Sequence, residues 1–180
     1  MAIKTVKFTG LSSTSFMYTA IGGIRFYDEN NTVIPSGAII SNSEISAETD
    51  NFLLTATSGP GHAYYYVGNA FNTNALQTGD GTDYSYWMSS NDNQTLTCEF
   101  KTPVSKINKI EFVPLPDAYT TIRGVDEQFN IELWDEFDVL SNTYTIIPIT
   151  TNNIVQSLNF SDGIITSTGV ITTNLSLIHI

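Results

Sequence analysis

Positive charge is scarce in this sequence. Seven Lys and Arg stand against 18 Asp and Glu, for a formal net charge of −11. None of the seven lies between Arg25 and Lys101, and none follows Arg123. A protein that neutralises phosphates needs a basic stripe, so nucleic acid is excluded as a partner. An anionic membrane surface is excluded for the same reason. The single cysteine, Cys98, excludes an internal disulfide, and one Cys with two His excludes a Cys/His metal cluster. Cys98 sits in an alternating strand pattern with no His or cation beside it, which predicts a buried small hydrophobe rather than a reactive thiol. No apolar run approaches the ~20 residues that cross a bilayer. The stretch Met1-Ala2-Ile3-Lys4-Thr5-Val6-Lys7 has neither an apolar h-region nor a cleavage site, so no secretory signal is expected. If the protein works outside a cell, it leaves by lysis, by a dedicated machine or within a virus particle.

Charge of either sign is also thin, at 14% of residues against a typical value of about 25%. Ser, Thr, Asn, Gln and Tyr must therefore dress the surface. Such a surface repels neighbours weakly and offers many neutral hydrogen-bonding groups, which suits packing into an assembly, contact with sugars, or simply a neutral extracellular-type β-protein. The hydrophobic content of 41% in 180 residues is enough for one domain with its own core, with or without a small appendage.

Period-two alternation is the main local signal. In Gln94–Phe100, Leu96, Cys98 and Phe100 share one face. Phe129, Ile131 and Leu133 do the same in the next clear segment, and Ile110 and Phe112 do so in Lys109–Phe112. Each reads as a half-buried antiparallel strand. Further strands are expected at 3–8, 23–27, 38–41, 52–57, 64–67, 143–149 and 157–160. Turn chemistry separates them at Asp28-Glu29-Asn30-Asn31, Pro35-Ser36-Gly37, Ser58-Gly59-Pro60-Gly61 and Ser161-Asp162-Gly163. Segments 43–50 and 70–76 each have room for one helical turn. Many short strands with regular turns predict an all-β, antiparallel β-sandwich or barrel. Residues 150–180 differ: they carry one acidic residue, no Lys or Arg, and end in the apolar Leu177-Ile178-His179-Ile180. A bare β-prone edge of this kind invites aggregation. The extension is thus expected to pair either with the sandwich of residues 1–149 or with a neighbouring chain.

The central segment carries a family likeness. Asn69-Ala70-Phe71-Asn72 is followed by Tyr86-Trp87-Met88-Ser89-Ser90, then by Gln94–Phe100, Lys101-Thr102-Pro103-Val104, Ile107–Phe112 and Phe129-Asn130-Ile131-Glu132-Leu133. This resembles the galactose-binding-like, or discoidin-type, jelly-roll family over roughly residues 22–135. The opening Ile21-Gly22-Gly23-Ile24-Arg25-Phe26-Tyr27-Asp28-Glu29-Asn30 resembles the first strand of such domains in bacteriophage tail and fibre proteins. The likeness implies a jelly roll whose loops at one end bind a ligand. The matching loop spans residues 59–68, and its His62, Tyr64, Tyr65 and Tyr66 are candidate glycan contacts. Asn91, Asp92 and Tyr119 are placed at the same end. Aromatic faces stack on the apolar faces of sugars, while His and Asn fix hydroxyls. In an extended strand Tyr64 and Tyr66 would share a face opposite Tyr65, so at least one of the three belongs to the core. Trp87, just before a loop, is expected to plug one end of the sandwich. The family's Asp-Gly turn is replaced here by Asn72-Thr73, which puts its structural Ca2+ in doubt. Asp80 and Asp83 offer carboxylates near Asn72, but no full calcium loop is present and a plain turn is the simpler reading.

Catalytic signatures are missing. There is no nucleophile elbow, phosphate loop or HExxH. A Ser-His-Asp set would have to use His62 or His179, with no support nearby. Glu132, Asp135, Glu136 and Asp138 form an acidic run that reads as a solvated face rather than a carboxylate pair for glycoside hydrolysis. The expectation is a non-catalytic protein without a required cofactor. It would be a structural or decoration protein of a virion, in a phage capsid or tail, assembling with other virion proteins or with itself and adhering to host glycan. The alternative is a carbohydrate-binding module acting through the tyrosine loop.

Overall fold

The structure is a computed structural model that describes residues 1–58, 64–71, 86–116, 123–151, 154–160, 166–167 and 171–173. It is an antiparallel β-sandwich. The strands are β1 (Ile3–Leu11), β2 (Tyr18–Tyr27), β3 (Ile39–Asn42), β4 (Ser46–Thr49), β5 (Phe52–Ala56), β6 (Tyr86–Ser89), β7 (Gln94–Val104), β8 (Lys109–Val113), β9 (Arg123–Gly124), β10 (Phe129–Asp135), β11 (Leu140–Ile146), β12 (Gln156–Asn159), β13 (Thr166–Ser167) and β14 (Ile171–Thr173). A short helix, α1 (Val67–Ala70), lies between β5 and β6. Among the described residues, one sheet runs in the order β14-β11-β10-β1-β7-β5-β4-β3 and the other β13-β12-β8-β2-β6, with β9 pairing in parallel to the start of β2. None of the described helix is long and apolar enough to cross a membrane. Within the 150–180 stretch, β12 pairs with β8, β13 with β12, and β14 with β11, so its described strands join both sheets of this chain. The terminal 177–180 segment lies outside the described residues.

The sheets meet on a layer of aromatic rings. Phe8 of β1 contacts Phe112 of β8 edge-on at 6.1 Å, and Phe26 of β2 contacts Phe52 and Phe100 of β5 and β7 at 6.0 and 5.3 Å. Phe71, just after α1, closes on both Phe8 and Phe26. Trp87 is fully buried in this core, as expected of a plug. Cys98 is buried there too. Burial and the neighbouring Glu99 push its thiol well above the ordinary value, so it stays protonated and inert.

Two strands reach this core only by breaking their own period. Phe8 and Leu11 both face inward although their spacing is odd, and so do Ile21 and Ile24. The pairing register shifts at both places, where Gly10 has φ +76° and Gly23 has φ +59°. A left-handed glycine inserts the extra residue of a β-bulge, and the side chains after it return to the core face. Sequence alternation therefore stops at the bulges, which is why the expected segments 3–8 and 23–27 cover only parts of β1 and β2.

Three local expectations are corrected. Residues 43–50 hold no helical turn: Ser46–Thr49 is β4, bonded on both sides by β3 and β5 with Ala47 and Thr49 buried. Tertiary pairing decides so short a segment. Residues 64–67 hold no strand, because Tyr64 has φ +80° and Tyr66 leads into α1. Helix falls at residues 67–70, ahead of the expected 70–76, whose remainder lies outside the described residues. Finally, Asp135 is not part of a solvated acidic face. It is fully buried, and its Oδ1 accepts the amides of Phe137 and Val139 at 2.9 Å each. Asp28 closes an identical turn by accepting the amides of Asn30 and Thr32 at 2.9 Å each. In both turns the fourth residue, Asn31 or Asp138, takes the left-handed conformation.

One end of the sandwich carries a surface cleft. Thr5 pairs with Glu99 and Ile3 with Val104, so residues 100–103 of β7 bulge opposite Lys4 alone. Pro103 cannot donate to the ladder, which favours this departure. Beneath the bulge lies a cleft of about 270 Å3, lined by Ile34, Pro35, Asn51, Phe52, Phe100, Thr102, Pro103 and Val104.

Replacing Phe26 by Ala removes a ring that touches Phe52, Phe71 and Phe100, and urea unfolding should show a loss of about 3–5 kcal/mol. Gly23→Ala should lose about 1–2 kcal/mol through its left-handed φ alone. A neutral result for Gly23→Ala would mean that β2 does not need the bulge.

Candidate functional site

The candidate ligand end is where β1 ends, β2 begins and β7 begins. The turn between β6 and β7 is tied there by its carboxylate and amides. Asp92 Oδ1 accepts the Ser13 amide at 3.0 Å and the Thr19 hydroxyl at 3.2 Å, and the Asn93 amide donates to Ser12 Oγ at 2.8 Å. Asp92 is thereby used in holding the β1–β2 connection. Asn91 is exposed and its Nδ2 donates to Ser58 Oγ at 3.4 Å. Ser58 in turn bonds Ser89 Oγ at 2.8 Å and Gln94 Oε1 at 2.6 Å. Asn91 thus stands against Ser58, while residues 59–63 lie outside the described residues. His62 and Tyr119 themselves lie outside the described residues.

The three tyrosines have three different environments. Tyr64 is 57% exposed. Tyr66 is half-buried and precedes the first residue of α1. Tyr65 is buried, with its ring 4.9 Å from that of Tyr86. Arg123 joins this pair: one guanidinium nitrogen donates to both the Tyr65 and Tyr86 hydroxyls at 2.7 Å, and the group lies 5.0 Å from the Tyr65 ring centroid. A planar guanidinium suits such a site because it stacks and donates at once. With Tyr18, Ala20 and Met88 the cluster forms a second, smaller core on the outer face of the β2–β6 pair. Sequence reasoning missed Arg123 and Tyr86 as partners of Tyr65. The available signal was that Arg123 is the last of very few basic residues, in a chain where a lone cation needs a reason.

A neighbouring carboxylate organises the β1–β2 connection. Asp126 accepts the Thr14 amide at 2.9 Å on one oxygen and the Ser15 amide at 2.8 Å on the other. Partial burial alone would raise the Asp126 pKa. Hydrogen bonds from Ser15, Thr14 and Ser13 outweigh it and hold the carboxyl below its ordinary value. The candidate metal ligands Asn72, Asp80 and Asp83 all lie outside the described residues. Among the described residues no group of three or more His, Cys, Asp or Glu could hold a metal ion.

Because the folded pKa of Asp126 is depressed, its contribution is full above the unfolded carboxylate value and fades as pH falls through the folded one. Asp126→Asn should therefore lower stability near neutral pH, with the gap to the parent closing below about pH 4. Thermal melts of both proteins between neutral and acidic pH check this. A gap that stays constant with pH would show that the charge is not what holds the loop.

Compared with protein-family models, curated proteins and solved structures, the chain matches none, so its function is read from its own residues.

Proposed function

We propose that this chain is a non-catalytic assembly module, a structural or decoration component of a particle such as a virion, that joins neighbouring protein chains by strand addition. The observation that carries this reading is the outer edge of β3. Among the described residues β3 ends its sheet with no strand on its outer side, and α1 meets only its far end, where Asn42 Oδ1 accepts the Gly68 amide at 3.0 Å. Its Ile39 and Ile40 are 46% and 59% exposed, and Ile45, in the turn that follows, adds exposed apolar surface. Natural edges are blunted by Lys, Pro or inward charge, by shortness or by a bulge. Residues 37–43 carry no Lys, Pro or charge, and β3 is guarded by its four-residue length and the register shift between Ile39 and Ser41. An apolar edge without charged guards supports pairing with a strand of another chain, where main-chain bonds give affinity and the two isoleucines give specificity. Low charge over the whole chain supports the same reading.

Carbohydrate binding is the second reading, favoured by the exposed ring of Tyr64 beside the loop that carries His62. If it operates, Tyr64→Ala should lose glycan-array binding without loss of fold, whereas Tyr65→Ala should destabilise the Arg123 cluster.

For the assembly reading, Ile40→Lys should leave the melting point nearly unchanged, since the residue is exposed. Its recovery in purified particles, measured by mass spectrometry, should fall about tenfold or more. Unchanged recovery would remove β3 as the joining edge.

A further inference from the structure

The cleft under the β7 bulge has a counterpart on the same molecule. The turn between β10 and β11 presents Phe137, 71% exposed, between the exposed Glu136 and Asp138. The turn is rigid: the Asp135 carboxylate clamps it from below, and the Asp138 amide bonds the Asp135 carbonyl at 3.2 Å. A ring held outward on a fixed turn loses little entropy when it docks.

Three properties fit the cleft to that ring. At about 270 Å3 it is smaller than the roughly 300–1,000 Å3 of small-molecule pockets, and it has the apolar floor of Phe52 and Phe100. It suits one inserted aromatic side chain. Lys101 and Lys106 bracket the β7 stretch that lines it, a notable concentration in a chain with seven cations. Lys106 is exposed and makes no ion pair with the described residues, while Lys101 pairs with Glu48 at 2.6 Å. An acidic, aromatic knob is the complement of this lysine-flanked apolar hole. Lastly, Ile3 pairs with Asp135 on one side and Val104 on the other. Knob and hole thus lie two strand spacings apart, about 10 Å, at one end of one sheet. A two-fold axis passing between them brings each knob to the other copy's hole and closes the assembly at two.

We infer that the chain forms a two-fold dimer in which the Phe137 turn of each copy fills the Phe52–Phe100 cleft of the other, with the turn's carboxylates facing Lys101 and Lys106. This goes beyond the assembly reading above, since it names the partner and uses a surface separate from the outer edge of β3.

Sedimentation velocity over a concentration series tests it. The unaltered protein should show a monomer–dimer equilibrium, and Phe137→Ala should weaken it about tenfold or more. Lys106→Glu and Glu136→Lys should each weaken the homodimer several-fold at low salt. An equimolar mixture of these two should recover association, because each contact in the mixed dimer again pairs opposite charges. Ile40→Lys should dimerise normally, so loss of particle recovery with intact dimers would concern β3 alone. A chain that stays monomeric at every concentration, or a mixture that fails to recover, would overturn the dimer.

Discussion

Everything in this fold hangs on the aromatic layer between the two sheets. Phe8, Phe52, Phe100 and Phe129 from one sheet meet Phe26 and Phe112 from the other, and Phe71 seals the gap left by the short edge strand β6. Edge-to-face pairs of this kind contribute about 0.5–1.5 kcal/mol each beyond the area they bury. Their positions are not negotiable, and the backbone yields to them. Gly10 and Gly23 bend their strands so that Leu11 and Ile24 return to the same side as Phe8 and Ile21. The bulge at residues 100–103 likewise follows from keeping Phe100 inward while Pro103 leaves the ladder.

With cohesion supplied from within, the charges of the surface are free for local work. Among the described residues, Asp28, Asp50, Asp92, Asp126 and Asp135 each accept at least one backbone amide in a turn or loop. Acidity here is in good part turn chemistry: a short carboxylate satisfies amides that no strand reaches. The strongly negative balance therefore does not by itself require a cationic partner. It also explains why the candidate ligand end looks more like scaffolding than a site. Asp92 holds a loop, Tyr65 packs on Tyr86, and Arg123 is engaged by both hydroxyls.

The sandwich was legible because two central strands, β7 and β10, alternate cleanly. Gln94–Phe100 and Phe129–Leu133 lie inside β7 and β10, and their apolar faces are the buried ones. Legibility failed where a third body decides the outcome. β4 carries no alternation of apolar residues and is a strand because β3 and β5 flank it. β6 shows no strand pattern in the sequence, since all four of its residues are buried, with Trp87 in the larger core and Tyr86 and Met88 in the smaller. Asp135 looked like one more acidic surface residue, although its place two beyond Leu133 on the inward face of β10 was already a reason to expect burial. The tyrosine run was the hardest, because three identical side chains are sorted by one left-handed residue, Tyr64, that no pattern announces.

A sequence this consistent makes its exceptions informative. Natural chains depart from local rules mainly where function requires it, and offset the cost elsewhere. Two departures stand out once the core and the turns are accounted for. One is a short edge strand without a charged or proline gatekeeper, with Ile39 and Ile40 exposed. The other is Phe137 at the tip of a turn whose twin, around Asp28, carries Asn30 at the same place. Both turns have the same hydrogen bonds and the same left-handed fourth residue, so geometry does not ask for an aromatic ring. Turn chemistry would be served as well by Asn at position 137. In the dimer proposed above the ring gains a contact outside its own chain, and the apolar cleft at the same end of the same sheet is the contact its size and charge describe.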